Sequence, residues 1–332
     1  MDMTNILILT VGTRVKIVEY FKALPHVKVV CTDASLNAPA LYFGDVHYQM
    51  PRFTDPTYLD RVLEICEAED IDGILPIIDT TAFMLSQNQQ RFSQKNIKII
   101  TSPPEAVALS YDKRKLARFC HDNQLPTIPT FESLSDFKCA REAGQIDFPV
   151  FVKPAIGSGS VDNYKVSDMT ELEAVLVDKT NMIIQAFVDG PEFGIDAYCD
   201  LETGELVDLF VKEKLLMRGG ETDKARSVDQ EPILSILRDL VRRANLRGPI
   251  DVEFFYDHGQ WLISEINTRF GGGYPFAQAC GKNYPQLIVN NLNGERNQVQ
   301  NFEYPLNMIL MKYPEVVVSS MDSNVLLQSK VG

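Results

Sequence analysis

The sequence contains few of the residues that bind transition metals or build disulfide frameworks. Among its 332 residues it has four histidines, none spaced i,i+4, and six scattered cysteines with no CxxC pair. A metal site built on histidine or cysteine is therefore not expected. Scattered thiols of this kind are typical of a reducing compartment.

The sequence also lacks a basic excess and a long hydrophobic run. Its formal net charge is -13, which argues against a nucleic-acid partner because phosphate binding needs surplus Lys and Arg. No stretch approaches the roughly 18 apolar residues of a membrane span. The first residues show neither the basic segment nor the long apolar segment of a signal peptide. We therefore expect a cytoplasmic protein with no membrane partner.

The first part of the chain alternates strand and helix patterns, which predicts a small doubly wound parallel sheet. Four short apolar runs indicate its strands: 6–11, 27–31, 74–78 and 97–100. The first strand–turn–helix lacks GxGxxG, so a dinucleotide-dependent dehydrogenase is disfavoured. Asp33, after the second strand, is either a ribose-binding acid or, in better agreement with the missing glycines, a residue of a strand-end turn.

A boundary at Pro103-Pro104 is followed by a change of pattern. One helix is predicted from about Glu105 to Asn123 and another from Ile233 to Ala244. From Phe148 onward, short alternating segments predict antiparallel strands. The chain is therefore expected to be α/β, with an N-terminal parallel sheet and a second part built on antiparallel sheets.

A predicted hairpin at 250–267 carries the most informative side chains. A three-residue loop would pair Tyr256 with Gln260 and Glu253 with Ile263, which places Glu253, Glu265 and Asn267 on one face. A four-residue loop would place Glu253 on the other face. Two carboxylates and an amide oxygen close together suit Mg²⁺ or Mn²⁺. The alternative is a solvated acidic hairpin.

The segment Glu265-Ile266-Asn267-Thr268-Arg269, with Glu253 twelve positions earlier, closely resembles the metal and phosphate segment of the ATP-grasp superfamily. The resemblance implies that Glu253, Glu265 and Asn267 are metal ligands. It also implies that Arg269 is a catalytic residue that stabilises charge on the transferring phosphoryl group.

Other segments resemble the same family in the same order. Tyr111-Asp112-Lys113-Arg114 and Phe151-Val152-Lys153-Pro154 resemble its two cationic segments, which implies phosphate contacts for Lys113 and Lys153 and a catalytic role for Lys153. The run 156–160 resembles its flexible glycine-rich loop, which implies nucleotide contacts for Gly157, Ser158 and Gly159.

Two further segments complete the resemblance. The strand 183–188 is similar to the one that reads adenine, which implies nucleotide contacts for Gln185, Phe187 and Val188 and ribose binding by Glu192. Gln185 and Ala186 depart from the family's commoner acidic and basic residues. The segment 218–222 resembles the glycine-containing phosphate loop of the carbamoyl-phosphate synthase large subunit, and this implies a catalytic role for Arg218.

The resemblance implies a domain plan. We predict a pre-ATP-grasp Rossmann-like domain at 1–105 and an ATP-grasp domain at 106–300, with a lid subdomain at about 125–190. A C-terminal extension at 301–332 would pack on the grasp domain. Within the superfamily, the chain resembles short stand-alone relatives of the carbamoyl-phosphate synthase large subunit.

The implied function is a ligase that uses ATP and Mg²⁺ or Mn²⁺ to form an acyl phosphate from a carboxylate and passes it to an amine. Its partners would be these small-molecule substrates, and a homodimer is left open because dimers are frequent in similar proteins. Gly272 stands where bicarbonate-phosphorylating members carry a second Arg, and the run 271–275 leaves room for a bulkier carboxylate. The alternatives are a synthase-like fragment acting on bicarbonate or carbamate, a split-synthase subunit that needs a partner, and a non-catalytic ATP-binding module.

Overall fold

The computed structural model describes residues 3–157, 161–320 and 323–326. Its strands, in chain order, are β1 (Thr4–Leu9), β2 (Val27–Asp33), β3 (Val46–Gln49), β4 (Gly73–Pro76), β5 (Lys98–Ile99), β6 (Thr130–Phe131), β7 (Val150–Pro154), β8 (Tyr164–Val166), β9 (Met182–Ala186), β10 (Glu192–Cys199), β11 (Leu206–Arg218), β12 (Glu221–Ser227), β13 (Gly248–Asp257), β14 (Gln260–Asn267), β15 (Ile309–Met311), β16 (Ser319–Ser320) and β17 (Ser323–Leu326).

The helices, in chain order, are α1 (Val15–Lys22), α2 (Tyr58–Ala68), α3 (Asp79–Gln87), α4 (Gln89–Ser93), α5 (Pro104–Tyr111), α6 (Lys113–Asp122), α7 (Leu134–Glu142), α8 (Met169–Asp178), α9 (Glu231–Ala244), α10 (Tyr274–Ala279) and α11 (Tyr284–Leu292). A short 3₁₀ helix spans Pro39–Phe43. Within the described residues, no helix is long and apolar enough to cross a membrane.

The described residues form two compact units. The first unit holds those within Met1–Ile77, Asn88–Ile99 and Met311–Gly332, and the second holds Ile78–Gln87 and the described part of Ile100–Leu310. Helix α3 therefore belongs to the second unit, although it follows a strand of the first. The predicted domain limits at 105 and 300 stay a prediction.

The first unit is built on a parallel sheet. Its strand order is β3-β2-β1-β4-β5, so the chain runs outward from β1 in one direction and then in the other. The predicted doubly wound parallel sheet is confirmed. Asp33, at the end of β2, accepts hydrogen bonds from the backbone N–H groups of Gly12 and Ser35, both at 2.9 Å. Both carboxylate oxygens are used by the backbone, which is the behaviour of a strand-end turn residue.

The second unit is built on a six-stranded sheet of order β14-β13-β10-β11-β12-β15. Strand side chains alternate between faces, and the two faces of this sheet differ in character. One face is apolar and packs on α9, whose buried side chains recur at helical spacing, as Ile233, Leu237 and Leu240 do. The other face carries ionisable side chains, and we call it the charged face.

The charged face presents residues from four neighbouring strands. They are Glu192, Gly194 and Asp196 of β10, Lys212 and Lys214 of β11, Asp251 and Glu253 of β13, and Glu265 and Asn267 of β14. A separate four-stranded antiparallel sheet, of order β6-β9-β7-β8, is formed by residues between 130 and 186. The predicted change to antiparallel sheets in this part of the chain is confirmed.

The single helix predicted from Glu105 to Asn123 is wrong, because the structure divides it at Asp112. This residue has φ -122° and ψ 109°, and its side chain accepts a hydrogen bond from the backbone N–H of Arg114. An aspartate can cap a new helix in this way and so competes with continuation of the old one. The break places Lys113 in the first turn of α6.

The predicted pairing of the β13–β14 hairpin is also wrong. The loop has two residues, His258 and Gly259, with φ of 46° and 82°, and Asp257 pairs with Gln260. Positive φ at both loop residues is typical of a type I′ turn. A bulge then leaves Ser264 unpaired, so that Glu253 lies opposite Glu265. The bulge shifts the pairing by one residue, so that Glu253 and Glu265 point to the same face of the sheet. The prediction that Glu253, Glu265 and Asn267 share one face is therefore confirmed.

Candidate functional site

Two glutamates face each other across the hairpin of the charged face. Glu253 lies opposite Glu265, and Asp251 lies opposite Asn267 one step further along. Burial raises the pKa of Glu265, and the Glu253 carboxylate adds to this against the opposing effect of Lys113. Burial would also raise the pKa of Glu253, but Lys214 and other cations hold it below its ordinary value. The two acids therefore differ in their readiness to carry charge.

Two lysines from other elements point toward this acidic pair. The Lys113 ammonium donates a hydrogen bond to the Gly157 carbonyl oxygen at 2.8 Å and lies 3.7 Å from Glu265 Oε1. The Lys153 side chain, on β7, is 8% exposed. Burial lowers the pKa of Lys153, although Glu265 partly offsets this. Within 3–157 and 161–320, the Lys153 ammonium forms no hydrogen bond or ion pair, so it is left for an anion.

Arg269 is held by two aspartates. Its Nε lies 3.0 Å from Asp79 Oδ1 and its Nη2 3.2 Å from Asp79 Oδ2, while Nη1 lies 3.4 Å from Asp251 Oδ2. Burial alone would lower the pKa of Arg269, but Asp79 and Asp251 raise it above its ordinary value. One hydrogen bond, from Nη2, and one ion-pair contact, from Nε, hold the guanidinium group against the Asp79 carboxylate.

Lys214 joins two of the predicted site acids. Its ammonium donates to Glu192 Oε1 at 2.7 Å and to Glu253 Oε1 at 2.6 Å, and its side chain is 3% exposed. Burial would lower the pKa of Lys214, but the Glu253 and Glu192 carboxylates raise it above its ordinary value. The neighbouring Lys212 forms a buried ion pair with Asp196.

The residues predicted to contact the nucleotide lie on and after β9. Gln185 is buried, and its Nε2 donates to Thr130 Oγ1 at 2.8 Å, which leaves its carbonyl oxygen as an acceptor. Phe187 is half-buried, with the Lys165 ammonium 3.7 Å from its ring centroid, and Val188 is half-buried beside it. These placements are compatible with the predicted contacts, which stay predictions.

The two predicted loop segments differ in their placement. Gly157 is exposed and accepts the hydrogen bond of Lys113, whereas Ser158 and Gly159 lie outside the described residues. Arg218 is at the exposed tip of the β11–β12 hairpin, where Gly219 and Gly220 have φ of 59° and 78°. Its nearest ion-pair partner is Asp223 at 3.4 Å, so the structure does not bring Arg218 to the acidic pair.

The oxygen donors around the acidic pair suit a divalent cation. In the described part of the chain, no three His, Cys, Asp or Glu side chains form a ready metal cluster. The acidic pair still offers carboxylate oxygens, and Asn267 Nδ2 points to Asp251 at 3.4 Å, which leaves its amide oxygen as a further donor. Hard oxygen donors of this kind fit Mg²⁺ or Mn²⁺.

Two glycines after Arg269 lie close to charged side chains of the sheet. A Cβ at Gly271 would lie 2.6 Å from Asp251 Cγ, and one at Gly273 would lie 2.4 Å from Lys212 Cε. The space beside these two glycines is therefore filled by charged side chains of this chain. The predicted room for a bulkier carboxylate stays a prediction.

Sequence reasoning did not predict the contacts of Lys214, nor those that Asp79 and Asp251 make with Arg269. Lys214 contacts partners 22 and 39 positions away, and Asp79 contacts Arg269 across 190 positions. Spacing along the chain carries no signal for such pairs. Gly194, in the middle of a strand, was the one available signal, since a strand glycine often marks a close approach.

Comparison with protein families gives two matches. Residues 6–100 match the PylC-like N-terminal domain, and residues 178–314 match the ATP-grasp family described as acting in the biosynthetic pathway with Ter operon. The second match contains Glu253, Glu265, Asn267 and Arg269.

Curated relatives are similar at low identity. The carbamoyl-phosphate synthase of Methanobrevibacter smithii is 22% identical over 309 residues, which is 87% of this chain and 81% of that protein. The carbamoyl phosphate synthase large chain of Acidobacterium capsulatum is 24% identical over 264 residues, which is 74% of this chain. The match covers 24% of that large chain, so this chain spans about a quarter of it.

Solved structures share the fold. The N5-carboxyaminoimidazole synthetase of Staphylococcus aureus, complexed with ADP, aligns with a TM-score of 0.76 at 17% identity, over 94% of this chain and 83% of that one. The biotin carboxylase domain of Hydrogenobacter thermophilus 2-oxoglutarate carboxylase, complexed with MgADP, ADP and bicarbonate, aligns with a TM-score of 0.75 at 16% identity, over 93% and 74%.

The predicted ATP-grasp fold and the predicted likeness to the carbamoyl-phosphate synthase large chain are confirmed by these matches. We conclude that the chain carries an ATP-grasp domain preceded by a PylC-like N-terminal domain, and that most of the chain is similar at low identity to carbamoyl-phosphate synthases.

Proposed function

We propose that this protein is an ATP-dependent ligase that converts a carboxylate into an acyl phosphate and passes the acyl group to an amine. The observation that carries the proposal is the facing pair Glu253 and Glu265 near the buried side chain of Lys153, whose ammonium has no partner among the residues that the structure describes. The two glutamates suit a divalent cation and the lysine suits a phosphate group. The charge of Lys153 is felt by both glutamates, so the three side chains form one charged cluster.

The proposed cofactors are ATP and Mg²⁺, with Mn²⁺ as a substitute. Glu253, Glu265 and Asn267 would hold the cation, which when bound neutralises charge on the nucleotide's terminal phosphates. Lys113 and Lys153 would bind phosphate oxygens, and Glu192 and Gln185 the ribose and adenine. Relatives described as complexes with ADP or MgADP support this choice.

The chain's own residues would act by position and charge. Arg269, fixed by Asp79, would face the oxygens of the group being transferred. Lys113 also contacts Gly157, so phosphate binding and the start of the glycine-rich segment are linked through one side chain. No residue is assigned as a covalent nucleophile, and the rate enhancement would come from positioning and electrostatic stabilisation.

A second candidate is favoured by the curated relatives. The Methanobrevibacter smithii protein is a carbamoyl-phosphate synthase covered over 81% of its length, which supports phosphorylation of bicarbonate or carbamate as the alternative. The coverage of a quarter of the Acidobacterium large chain supports a split-synthase subunit that needs a partner. Gly272, in place of the second Arg, weighs against the first alternative.

An ADP-release screen tests the proposal. The purified chain is incubated with ATP and Mg²⁺ and with amino acids, other small carboxylates or bicarbonate, each with and without hydroxylamine to trap an acyl phosphate. We expect ADP release that depends on one carboxylate and gives its hydroxamate. ADP release with bicarbonate alone would favour the synthase alternative, and none with any acceptor would contradict a stand-alone ligase.

A further inference from the structure

Lys214 reaches across a whole strand to contact Glu253. Strand β10 lies between β11, which carries Lys214, and β13, which carries Glu253. Along the way the ammonium also contacts Glu192 of β10. The path crosses Gly194, where a Cβ would lie 3.3 Å from both Lys214 Cε and Lys212 Cε. The glycine therefore opens the route by which one lysine spans three strands.

This contact uses an acid that the proposed function gives to a divalent cation. The Lys214 ammonium lies 2.6 Å from Glu253 Oε1, in a place where its side chain is almost fully buried. A metal ion at Glu253 would bring two more positive charges next to this ammonium. Like charges at such a short range repel strongly where water is scarce.

We propose that Lys214 is a built-in counter-ion that occupies Glu253 when no metal is bound and competes with the divalent cation for that carboxylate. The inference rests on the proposed function, since it takes Glu253 as a metal ligand. Lys214 is then a positioning residue. It neutralises Glu192 and Glu253 in the free enzyme and weakens metal binding until nucleotide phosphates arrive to balance the added charge.

If Lys214 competes with the metal ion, its removal should raise the affinity for that ion. A residue that merely supported the metal site would weaken metal binding when removed. A competing cation, when removed, leaves Glu253 free and tightens metal binding. The arginine replacement retains the positive charge and should keep the affinity near that of the wild type.

The experiment measures Mn²⁺ binding to the full chain without nucleotide, by calorimetry and by the loss of the free Mn²⁺ resonance signal. The variants are Lys214→Met, Lys214→Arg and Gly194→Ala, which crowds the path without removing the charge. Lys224→Met is the matched control, because Lys224 is an exposed lysine on β12 of the same sheet. Circular dichroism establishes that each variant is folded.

We expect Lys214→Met to bind Mn²⁺ about tenfold more tightly than the wild type or more, given the loss of a close like charge. Gly194→Ala should shift affinity in the same direction by less, and Lys214→Arg and Lys224→Met should not shift it. Unchanged or weaker binding by Lys214→Met overturns the proposal, as does binding by neither protein. Nucleotide-dependent ADP release, measured separately on the wild type, reports on the proposed ligase function alone.

Discussion

Glu265 carries a charge that its surroundings oppose. It is half-buried, it faces Glu253, and the nearest cation, Lys113, is 3.7 Å away. A carboxylate in that position gains from a bound cation more than an exposed one would, because the charge is poorly solvated without it. At the scale of the residue, function and stability therefore make opposite demands on Glu265.

Replacing the Glu265 carboxylate by an amide separates its effect on activity from its effect on stability. We expect Glu265→Gln to abolish ADP release, by at least about a hundredfold as for loss of a group that stabilises transferring charge, while the melting temperature stays the same or rises. Activity and thermal unfolding are measured side by side. Glu205→Gln is the control, since Glu205 forms an exposed ion pair with Arg296. A rate equal to that of the wild type would contradict the assignment.

Arg269 depends on Asp79 for its orientation. Without that carboxylate, the guanidinium keeps its charge but loses the contacts at 3.0 and 3.2 Å. We expect Asp79→Asn to lower kcat roughly tenfold to a hundredfold, as for other orienting groups, with a smaller change in the KM for ATP. Steady-state ADP release measures both. Asp60→Asn, which disturbs the exposed pair of Asp60 with Arg91, should leave kcat unchanged.

Whether a site residue could be predicted depends on how far away in the sequence its contact partners lie. Glu253, Glu265 and Asn267 could be placed together from the sequence because one hairpin carries all three, and alternation decides the face. Lys214 and Asp79 could not, because their partners come from other strands and helices. The three hairpin residues were accessible to sequence reasoning, while the contacts of Lys214 and Asp79 were accessible only through the fold.

At the scale of the element, the errors in the predicted hairpin loop and pairing did not change which side chains share a face. The hairpin loop is one residue shorter than predicted, and the bulge at Ser264 adds one residue back. Neither feature has a strong sequence signal, since the loop His258-Gly259 and a three-residue loop use similar residues. The doubly wound sheet was predictable because buried parallel strands form continuous apolar runs, whereas the break at Asp112 depends on a single cap.

A buried aspartate closes the loop after β10. Asp200 Oδ2 accepts from Asn291 Nδ2 at 2.8 Å and from the Asn297 backbone N–H at 3.0 Å, while Oδ1 accepts from two backbone N–H groups of its own loop. Burial would raise the pKa of Asp200, but these hydrogen bonds lower it to about 2. The contacts tie α11 and the segment after it to the sheet.

This lowered pKa predicts a pH dependence of stability. An unfolded aspartate titrates near about 3.9, so the stabilisation is fully present above that pH and is lost as the pH falls toward 2. We expect Asp200→Asn to reduce the free energy of unfolding by about 2 kcal/mol at pH 6 and by less at pH 3. Urea unfolding at both pH values measures this, with exposed Asp178→Asn as the control. A constant difference would contradict the role.

At the scale of the whole molecule, the site is close to neutral although the chain carries a net charge of -13. The acids near the charged face are Glu192, Asp196, Asp251, Glu253, Glu265 and Asp79, and the cations are Lys113, Lys153, Lys212, Lys214 and Arg269. Six carboxylates thus meet five cations. A magnesium–nucleotide complex, which carries less negative charge than the free nucleotide, can enter without meeting a strong opposing field.

The melting temperature of the intact chain, measured with and without nucleotide, tests whether a magnesium–nucleotide complex binds at the charged face. At a hundredfold excess over its dissociation constant, ATP with Mg²⁺ should raise the melting temperature by roughly 5 °C or more. NADH should produce no shift, because the first turn lacks the dinucleotide fingerprint and both oxygens of Asp33 accept backbone hydrogen bonds. ATP with EDTA should give a smaller rise than ATP with Mg²⁺, since the acidic pair then remains without its cation. An equal rise with NADH, or none with ATP and Mg²⁺, would remove the basis for nucleotide binding at the charged face.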